Sequence, residues 1–320
     1  MYKTIIIDGL AFALPLLIIA IGGIYSERSG VTNLALEGLL GFGAFSGALF
    51  IVFLGGHFSQ NSNIPIYLSI IMAALGGALY ATLFALLCIK FKSNQVIAGV
   101  VINILSQAIT TFLTRQINQN FFEQPSDKFQ IGVFPRISIP VLKDIPIIGA
   151  VFDNFYTFNI IIIALLAVTW YLLYKSAFGM HLRACGDNPQ AVDAAGIDVE
   201  KVRFKAVVLS GALSGVGGIC FAYSISANFS PAIYMGYGYL AIAALIFGNW
   251  KIMPTFVACL IFGFARSGGN ELAKFLQLSS SYLDLTMTLP YILTLLLLIF
   301  FSKRNRAPRA LGEIYDKGKR

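Results

Sequence analysis

Long apolar runs separated by short polar stretches are the main pattern of this chain. The runs at 5–21, 157–174 and 285–301 contain one charged residue between them, Asp8. Each is close to the roughly 17–25 residues that an α-helix needs to cross a hydrocarbon core. Most runs lack the polar face, repeating every 3.6 residues, that a helix of a soluble protein shows. The pattern predicts an all-α polytopic membrane protein.

Marking every run gives about nine transmembrane helices, with a range of eight to ten. The seventh and eighth spans are short and are separated by GNWKIMP at 248–254, so we expect them to be discontinuous or tilted. The predicted spans lie near 5–24, 31–53, 65–89, 94–113, 157–175, 205–226, 236–249, 252–265 and 285–301.

Composition agrees with this prediction. Hydrophobic residues make up 57% of the 320 residues and charged residues 12%, about half the share usual in soluble proteins. The net charge of +8 follows the connections between spans, so it indicates membrane orientation and not a nucleic-acid partner. The four cysteines lie in predicted spans or in one basic loop, where they act as small apolar side chains.

The distribution of lysine and arginine predicts the orientation. The loop at 176–204 and the tail at 302–320 are the most basic connections, which places both in the cytoplasm. With nine spans, the first residues are then outside, and the segment 114–155 is an external loop that serves either as a docking or gating surface or as a linker. We treat residues 1–320 as a single transmembrane domain. Spans one to four begin outside and spans six to nine begin inside, which is the order of an inverted repeat.

Several kinds of chemistry have no motif here. The sequence has no GxxxxGK[ST] phosphate loop, no HExxH and no Cys/His cluster. The only histidines, His57 and His181, lie in connections, and no DxxxD pair lies near the end of a span. We therefore expect no enzymatic activity and no cofactor.

Polar residues within the predicted spans are few. Glu37 lies in the second span, four residues after Asn33, and the two share one helix face. An ionisable residue at such a position indicates function. The structural alternative is that Thr32 or Asn33 caps the helix start, with Glu37 one turn in and paired with Arg28.

The fourth span has a second polar face, formed by Asn103, Gln107 and Thr111 at a spacing of four. These side chains either line a hydrophilic path or join helices to one another. The candidates for a translocation path are Asn33, Glu37, Asn103 and Gln107. Aromatic residues that either stack on a base or lie at the lipid interface are Phe121, Phe122, Tyr234, Tyr237 and Tyr239.

A short helix is predicted inside the basic loop, in GDNPQAVDAAG at 186–196. Asn188 is a good N-cap, Pro189 fits the first helical position, and Gly196 fits a left-handed C-terminal cap. About seven residues would make a helix roughly 10 Å long, which is marginal alone in water. Its small face, Ala191, Ala194 and Ala195, suits either a groove on a partner or the chain's own span ends.

Two motifs in order resemble a known family. The loop HLRACGDNPQAVDAAGIDVEKVRFKAVVLSGALSGVGG and the earlier SERSGVTNLALEG (26–38) look like those of ABC-importer permeases of the branched-chain amino acid, ribose and nucleoside group. The second motif is similar to the nucleoside subgroup, and MTLPYILTLLLLIF (287–300) also fits. GNWKIM (248–253) departs from ribose permeases, which are richer in glycine there.

The resemblance implies a type II importer-like permease in the bacterial cytoplasmic (inner) membrane that imports nucleosides. It implies four partners: a separate ABC ATPase, a second permease (a different chain or a second copy), an extracytoplasmic substrate-binding lipoprotein and membrane lipid. The alternatives are a permease for a simple sugar such as ribose, or an ion-coupled secondary transporter using Glu37. The ATPase-coupling residues implied are Asp187, Asn188, Pro189, Gln190, Ala191, Asp193, Ala194, Ala195 and Gly196.

Overall fold

The computed structural model describes residues 2–58, 62–140, 148–232, 235–277, 288–301 and 306–317. Within these ranges the fold is almost entirely helical, with two pairs of very short strands. The helices are α1 Tyr2–Arg28, α2 Leu36–Leu54, α3 Ile64–Ala85, α4 Gln95–Phe122, α5 Phe158–Lys175, α6 Ala177–Asp187, α7 Pro189–Ala194, α8 Val199–Ile225, α9 Tyr237–Phe247, α10 Ile252–Phe275 and α11 Leu289–Phe301. The strands are β1 Phe129–Gln130, β2 Arg136–Ile137, β3 Phe155–Tyr156 and β4 Asn228–Phe229.

Seven helices of the described chain are long and apolar enough to cross a membrane: α1, α2, α3, α4, α5, α8 and α10. Two shorter helices, α9 and α11, lie at the positions of the seventh and ninth predicted spans. The all-helical polytopic fold is confirmed. The number of nine crossings stays a prediction, because α9 has only 11 residues and α11 only 13.

Several helix ends differ from the predicted spans, and the local backbone accounts for two of them. Asn33 Oδ1 accepts from the backbone N–H of Ala35, so the second helix begins at Leu36 and not near residue 31. The fourth helix continues to Phe122, nine residues past the predicted end, and stops where Glu123 adopts a left-handed backbone with φ of 52°. The start of the predicted external loop is therefore helical.

Helices α1 and α8 form the centre of the bundle, and most of their residues are buried. The neighbours of α8 approach through glycine. A Cβ atom at Gly43 would clash with Gly215, and one at Gly77 would clash with the carbonyl oxygen of Gly211. Such small-residue contacts are how helices pack closely in lipid, where hydrophobic association is weak.

The helix pairs follow an exchange pattern. Helix α1 packs extensively on α10, and α8 packs extensively on α3, so the first helix of each half contacts the third helix of the other half. Helices α2 and α9 repeat the exchange, since α2 packs on α8 and α9 packs on α1. This packing supports the predicted inverted repeat of α1–α4 and α8–α11.

The described parts of the segment between α4 and α5, residues 123–140 and 148–157, fold onto one end of the bundle, which we call the strand end. Strand β1 pairs antiparallel with β4, and β2 pairs antiparallel with β3. The rings of Phe129, Phe229 and Phe45 form a cluster with centroid separations of 5.7–6.1 Å. The α5–α8 connection lies at the opposite end, which we call the α7 end.

Candidate translocation cavity and coupling helix

A cavity of about 190 Å³ lies between α2, α4 and the start of α9. Three of the four residues predicted to line a path, Glu37, Asn103 and Gln107, contribute to its wall. The complete lining is Glu37, Gly38, Gly41, Val100, Asn103, Ile104, Ser106, Gln107, Thr110, Pro231, Met235, Gly236 and Tyr239.

Glu37 connects two helices that are far apart in sequence. Its carboxylate accepts from the backbone N–H of Gly236 at 2.5 Å and of Gly238 at 2.6 Å, and also from the N–H of Tyr239. These groups are the first turn of α9, where N–H groups lack partners within the helix and where the helix dipole favours a negative charge. Glu37 therefore caps α9, a structural role that differs from the predicted pairing with Arg28.

Two glycines make this close approach possible. Gly236 has φ of +95°, a backbone conformation that residues with a side chain rarely adopt. A Cβ atom on Gly238 would lie 2.5 Å from the Glu37 backbone. Arg28 lies elsewhere, where its Nε donates to the carbonyl oxygen of Trp250 at 3.0 Å.

Asn103 joins α4 to both neighbouring walls of the cavity. Its Oδ1 accepts from the N–H of Gly38 at 2.7 Å, and its Nδ2 donates to the carbonyl oxygen of Leu34 at 2.8 Å. Nδ2 also donates to the hydroxyl of Tyr239 at 3.0 Å. Asn103 thus combines the two roles the sequence left open, because it joins helices and also lines the cavity.

The remaining sequence candidates differ in position. Gln107 is exposed on the rim of the cavity, with Nε2 3.9 Å from the sulfur of Met235. Thr111 faces a separate groove together with Arg115. Asn33 is fully buried away from the cavity, with Nδ2 donating to Ser210 Oγ at 2.9 Å. The structure therefore does not bring Asn33 together with the other three.

The sequence prediction named Asn103 and Gln107 of the α4 wall and missed Ser106 and Thr110. From Asn103 it continued at a spacing of four to Gln107 and Thr111. The polar residues that α4 buries are spaced by three and then by four: Asn103, Ser106, Thr110, Thr114 and Asn118. Both spacings are compatible with 3.6 residues per turn, so the polar pattern alone did not decide between them.

Of the aromatic residues named from the sequence, Tyr239 lines the cavity. Phe121 and Phe122 pack on Phe53, and Tyr237 packs on Phe12 and Phe221. Tyr234 lies outside the described residues. Apolar Val100 and Ile104, a phenol ring, amides and hydroxyls together suit a small solute with an apolar or aromatic face and polar edges.

The short helix in the basic loop is present and has the predicted ends. Asn188 Oδ1 accepts from the N–H of Ala191 at 3.0 Å, and Pro189 occupies the first turn. At the other end the N–H of Gly196 donates to the carbonyl oxygen of Asp193, and the N–H of Ile197 donates to the carbonyl oxygen of Val192. Gly196 has φ of +80°. This is a Schellman cap, and it ends the helix after six residues.

Helix α7 has one attached face and one open face. Pro189 and Val192 are buried against the chain, so part of the helix is folded onto its own span ends. Asp193 is half-buried, with side-chain contacts described below. The exposed side comprises Asp187, Asn188, Gln190, Ala191, Ala194, Ala195 and Gly196.

The connection before α7 is fixed tightly to the end of α1. A Cβ atom at Gly186 would clash with the carbonyl oxygen of Arg28. Cys185 next to it is fully buried, and burial raises the pKa of its thiol to about 11. The α6–α7 connection therefore packs directly on the end of α1 through backbone atoms.

Among the described residues, no group of three or more His, Cys, Asp or Glu is placed to hold a metal ion. The four cysteines, Cys88, Cys185, Cys220 and Cys259, are buried and free.

Comparison with known proteins gives a consistent result. Residues 5–301 match the family model described as the permease component of the branched-chain amino acid transport system. No solved structure matches the chain.

Three curated relatives illustrate the range of the family. The guanosine ABC transporter permease protein NupQ of Bacillus subtilis is 39% identical over 97% of this chain and 96% of its own length. The nucleoside ABC transporter permease protein NupC of Lactococcus lactis is 36% identical over 99% and 98%. The ribose import permease protein RbsC of Haemophilus influenzae is 29% identical over 69% and 64%.

The family match covers the eleven described helices except for the first three residues of α1, and it includes the α6–α7 connection and the three walls of the cavity. The chain belongs to the family of permease components of branched-chain amino acid transport systems.

Proposed function

We propose that this chain is the permease subunit of an ATP-driven importer of nucleosides. The observation that carries the proposal is the likeness to two permeases named for guanosine and nucleosides over nearly the whole chain, together with a cavity of mixed polar and apolar character. The chain supplies the path, and ATP hydrolysis takes place on a separate subunit.

Asn103, Gln107 and Tyr239 are the residues we assign to the solute. Tyr239 offers a ring that is 47% exposed, on which a base stacks. The amide of Gln107 is exposed at the rim, where it donates to the sulfur of Met235, and it offers further donors and acceptors to a solute. Glu37 acts differently in this proposal, since its carboxylate holds α9 against α2 and so sets the shape of the cavity.

The coupling step is assigned to α7. A smooth exposed face of alanines fits a groove on an ATPase subunit, and the buried Val192 anchors the helix to its own bundle. Movement of the ATPase then pushes α7 as a rigid piece, because both of its ends are capped. The α7 end is cytoplasmic in this proposal, and the strand end faces an extracytoplasmic binding lipoprotein.

The family implies an ATPase and a substrate-binding protein as partners. A second permease would complete the path by covering α4, which forms one wall of the cavity. That side is apolar and exposed at Ile97, Val101 and Ile104. A different permease chain is our first choice for this position, and a second copy is the alternative.

One alternative solute and one alternative energy source compete with this proposal. Likeness to a ribose permease favours a simple sugar as the alternative solute. An ion-coupled transporter using Glu37 is the other alternative, but the carboxylate already accepts three backbone hydrogen bonds. A carrier of protons or sodium would have to break them in each cycle.

The test is uptake by proteoliposomes that contain the chain together with the subunits that copurify with it. We expect labelled guanosine to accumulate only with internal ATP, and a large excess of ribose to leave the rate unchanged. Uptake of labelled ribose without guanosine uptake would reassign the solute. Accumulation driven by a proton or sodium gradient without ATP would exclude an ATP-driven importer.

A further inference from the structure

Residues 306–317 form an ordered segment on the α7 end, which we call the tail strap. The sequence by itself predicts only a basic tail here. Pro308 and Ala310 of the strap are buried, and the N–H of Arg306 donates to Asn249 Oδ1 at 2.7 Å. The strap therefore begins against the α9–α10 connection and runs across the end of the bundle.

Two backbone hydrogen bonds attach the middle of the strap. The N–H of Ala310 donates to the carbonyl oxygen of Gly186 at 2.8 Å, two residues before the cap of α7. The N–H of Gly312 donates to the carbonyl oxygen of Gly30 at 3.0 Å, just after α1 ends. Gly312 has φ of +80°, so the turn that makes both bonds possible favours glycine.

A buried arginine joins the strap to the central helix pair. Arg203, near the start of α8, is 3% exposed. Its Nε donates to the carbonyl oxygen of Ser29 at 3.0 Å, and its Nη1 donates to that of Glu313 at 2.9 Å. One guanidinium thus connects α8, the end of α1 and the strap. Its fork of donors fixes all three in a single geometry.

The far end of the strap contacts α7 itself. Lys317 Nζ lies 3.7 Å from Asp193 Oδ1, and the hydroxyl of Tyr315 donates a hydrogen bond to the same carboxylate. Asp316 Oδ1 lies 2.7 Å from Lys92 Nζ in the α3–α4 connection. Exposed ion pairs stabilise a fold little, so these contacts determine position more than stability.

These contacts give α7 a second attachment to the bundle, beside the packing of Gly186 on the end of α1. Helix α7 has six residues and would be marginal alone, so a push on it dissipates unless its flanks are held. The strap ties Asp193 and Gly186 to Gly30 and to Arg203, and so to the ends of α1 and α8. These two helices form the centre of the bundle.

We propose that the tail strap is a positioning element of the coupling apparatus, which holds α7 in register with α1 and α8 so that the movement of an ATPase reaches the cavity. This proposal rests on the proposed function for its energy source. The proposal adds a second segment, remote from α7 in sequence, that the transmission of movement from the ATPase to the cavity requires.

The first experiment compares two shortened chains. One ends at Asn305 and lacks the strap. The matched control ends at Lys317 and keeps it. In the complex purified in detergent, without ATP, we expect amide exchange of residues 187–197 to rise about tenfold in the strapless chain and to stay at the wild-type rate in the control.

The same two chains are then reconstituted with the copurifying subunits. We expect the strapless complex to hydrolyse ATP but to move about fivefold less guanosine per ATP, because the push on α7 is lost. Wild-type exchange, or a wild-type ratio of guanosine to ATP, in the strapless chain would overturn the proposal. A wild-type complex with no ATP-dependent uptake would instead refute the proposed function, and the coupling role with it.

A second variant covers the case in which the shortened chain fails to fold. Charge reversal in Lys92→Asp should lower the ratio of guanosine to ATP by about twofold, and Lys92→Asp combined with Asp316→Lys should restore it. Equal ratios of guanosine to ATP in the single variant, the double variant and the wild type would contradict the positioning role. A Lys92 that only contacts lipid would give no rescue of this ratio in the double variant.

Discussion

Replacement of Glu37 by glutamine tests the link between α2 and α9. The carboxylate accepts from Gly236 at 2.5 Å and from Gly238 at 2.6 Å, and hydrogen bonds to a charged group contribute about 1.5–3 kcal/mol each. Glutamine keeps one acceptor oxygen and turns an amide N–H toward the other backbone N–H. We therefore expect Glu37→Gln to weaken docking of the start of α9 by about 2 kcal/mol.

That loss corresponds to a roughly thirtyfold change in a local equilibrium. Hydrogen exchange measured by mass spectrometry on peptides that cover 236–240 should show protection reduced by this factor, while peptides from α1 stay unchanged. Gln107→Ala is the matched control, because this residue lines the same cavity but its amide contacts Met235 and not the Glu37 carboxylate, and should change stability by less than about 0.5 kcal/mol. Unchanged protection in Glu37→Gln would refute the capping role.

Three further predictions concern the cavity and α7. Tyr239→Phe keeps the ring but removes the hydroxyl that Asn103 donates to, so uptake should fall by a few-fold, which corresponds to about 1 kcal/mol. Because the ring stacks on the solute in this proposal, Tyr239→Ala should reduce uptake much further. Equal uptake by the two variants would contradict stacking. Gly196→Val places a branched side chain at φ of +80°, so it should reduce ATP-dependent uptake while membrane insertion, assayed by protease protection, is retained; full uptake would contradict the coupling role. At pH 7 a maleimide should label the cysteine of Ala194→Cys rapidly and Cys185 hardly at all. The Cys185 thiol is buried, and with its pKa raised to about 11 roughly one part in ten thousand is ionised at this pH. Rapid labelling of wild-type Cys185 would show that the α6–α7 connection is open.

The sequence predicted best where the determining interactions are local. The ends of α7 follow from Asn188, Pro189 and Gly196 within one stretch of the chain, and the structure has the expected cap at each end. The long spans follow from hydrophobic length alone. Their ends were less accurate, since α4 extends to Phe122 and α8 begins at Val199, where polar residues continue a helix beyond its apolar core.

The cavity was predicted only in part, because its partners are remote in sequence. Glu37 was singled out as an intramembrane acid, but nothing near it indicated that its partners are the N–H groups of residues 236–239. Asn33 is, like Asn103, an asparagine within a predicted span, but it is buried against Ser210 and not at the cavity. The tail strap also escaped prediction, since its attachment depends on backbone groups of Gly30 and Gly186, which any sequence would offer.

The central claim is that α7 is the place where force enters this chain. A photoreactive cross-linking amino acid at Ala194, on the exposed face of α7, tests it directly in the assembled complex. The claim predicts a covalent product with the ATPase subunit whose yield changes when ATP binds. A product formed only with lipid or within the permease, or one identical with and without ATP, would contradict it.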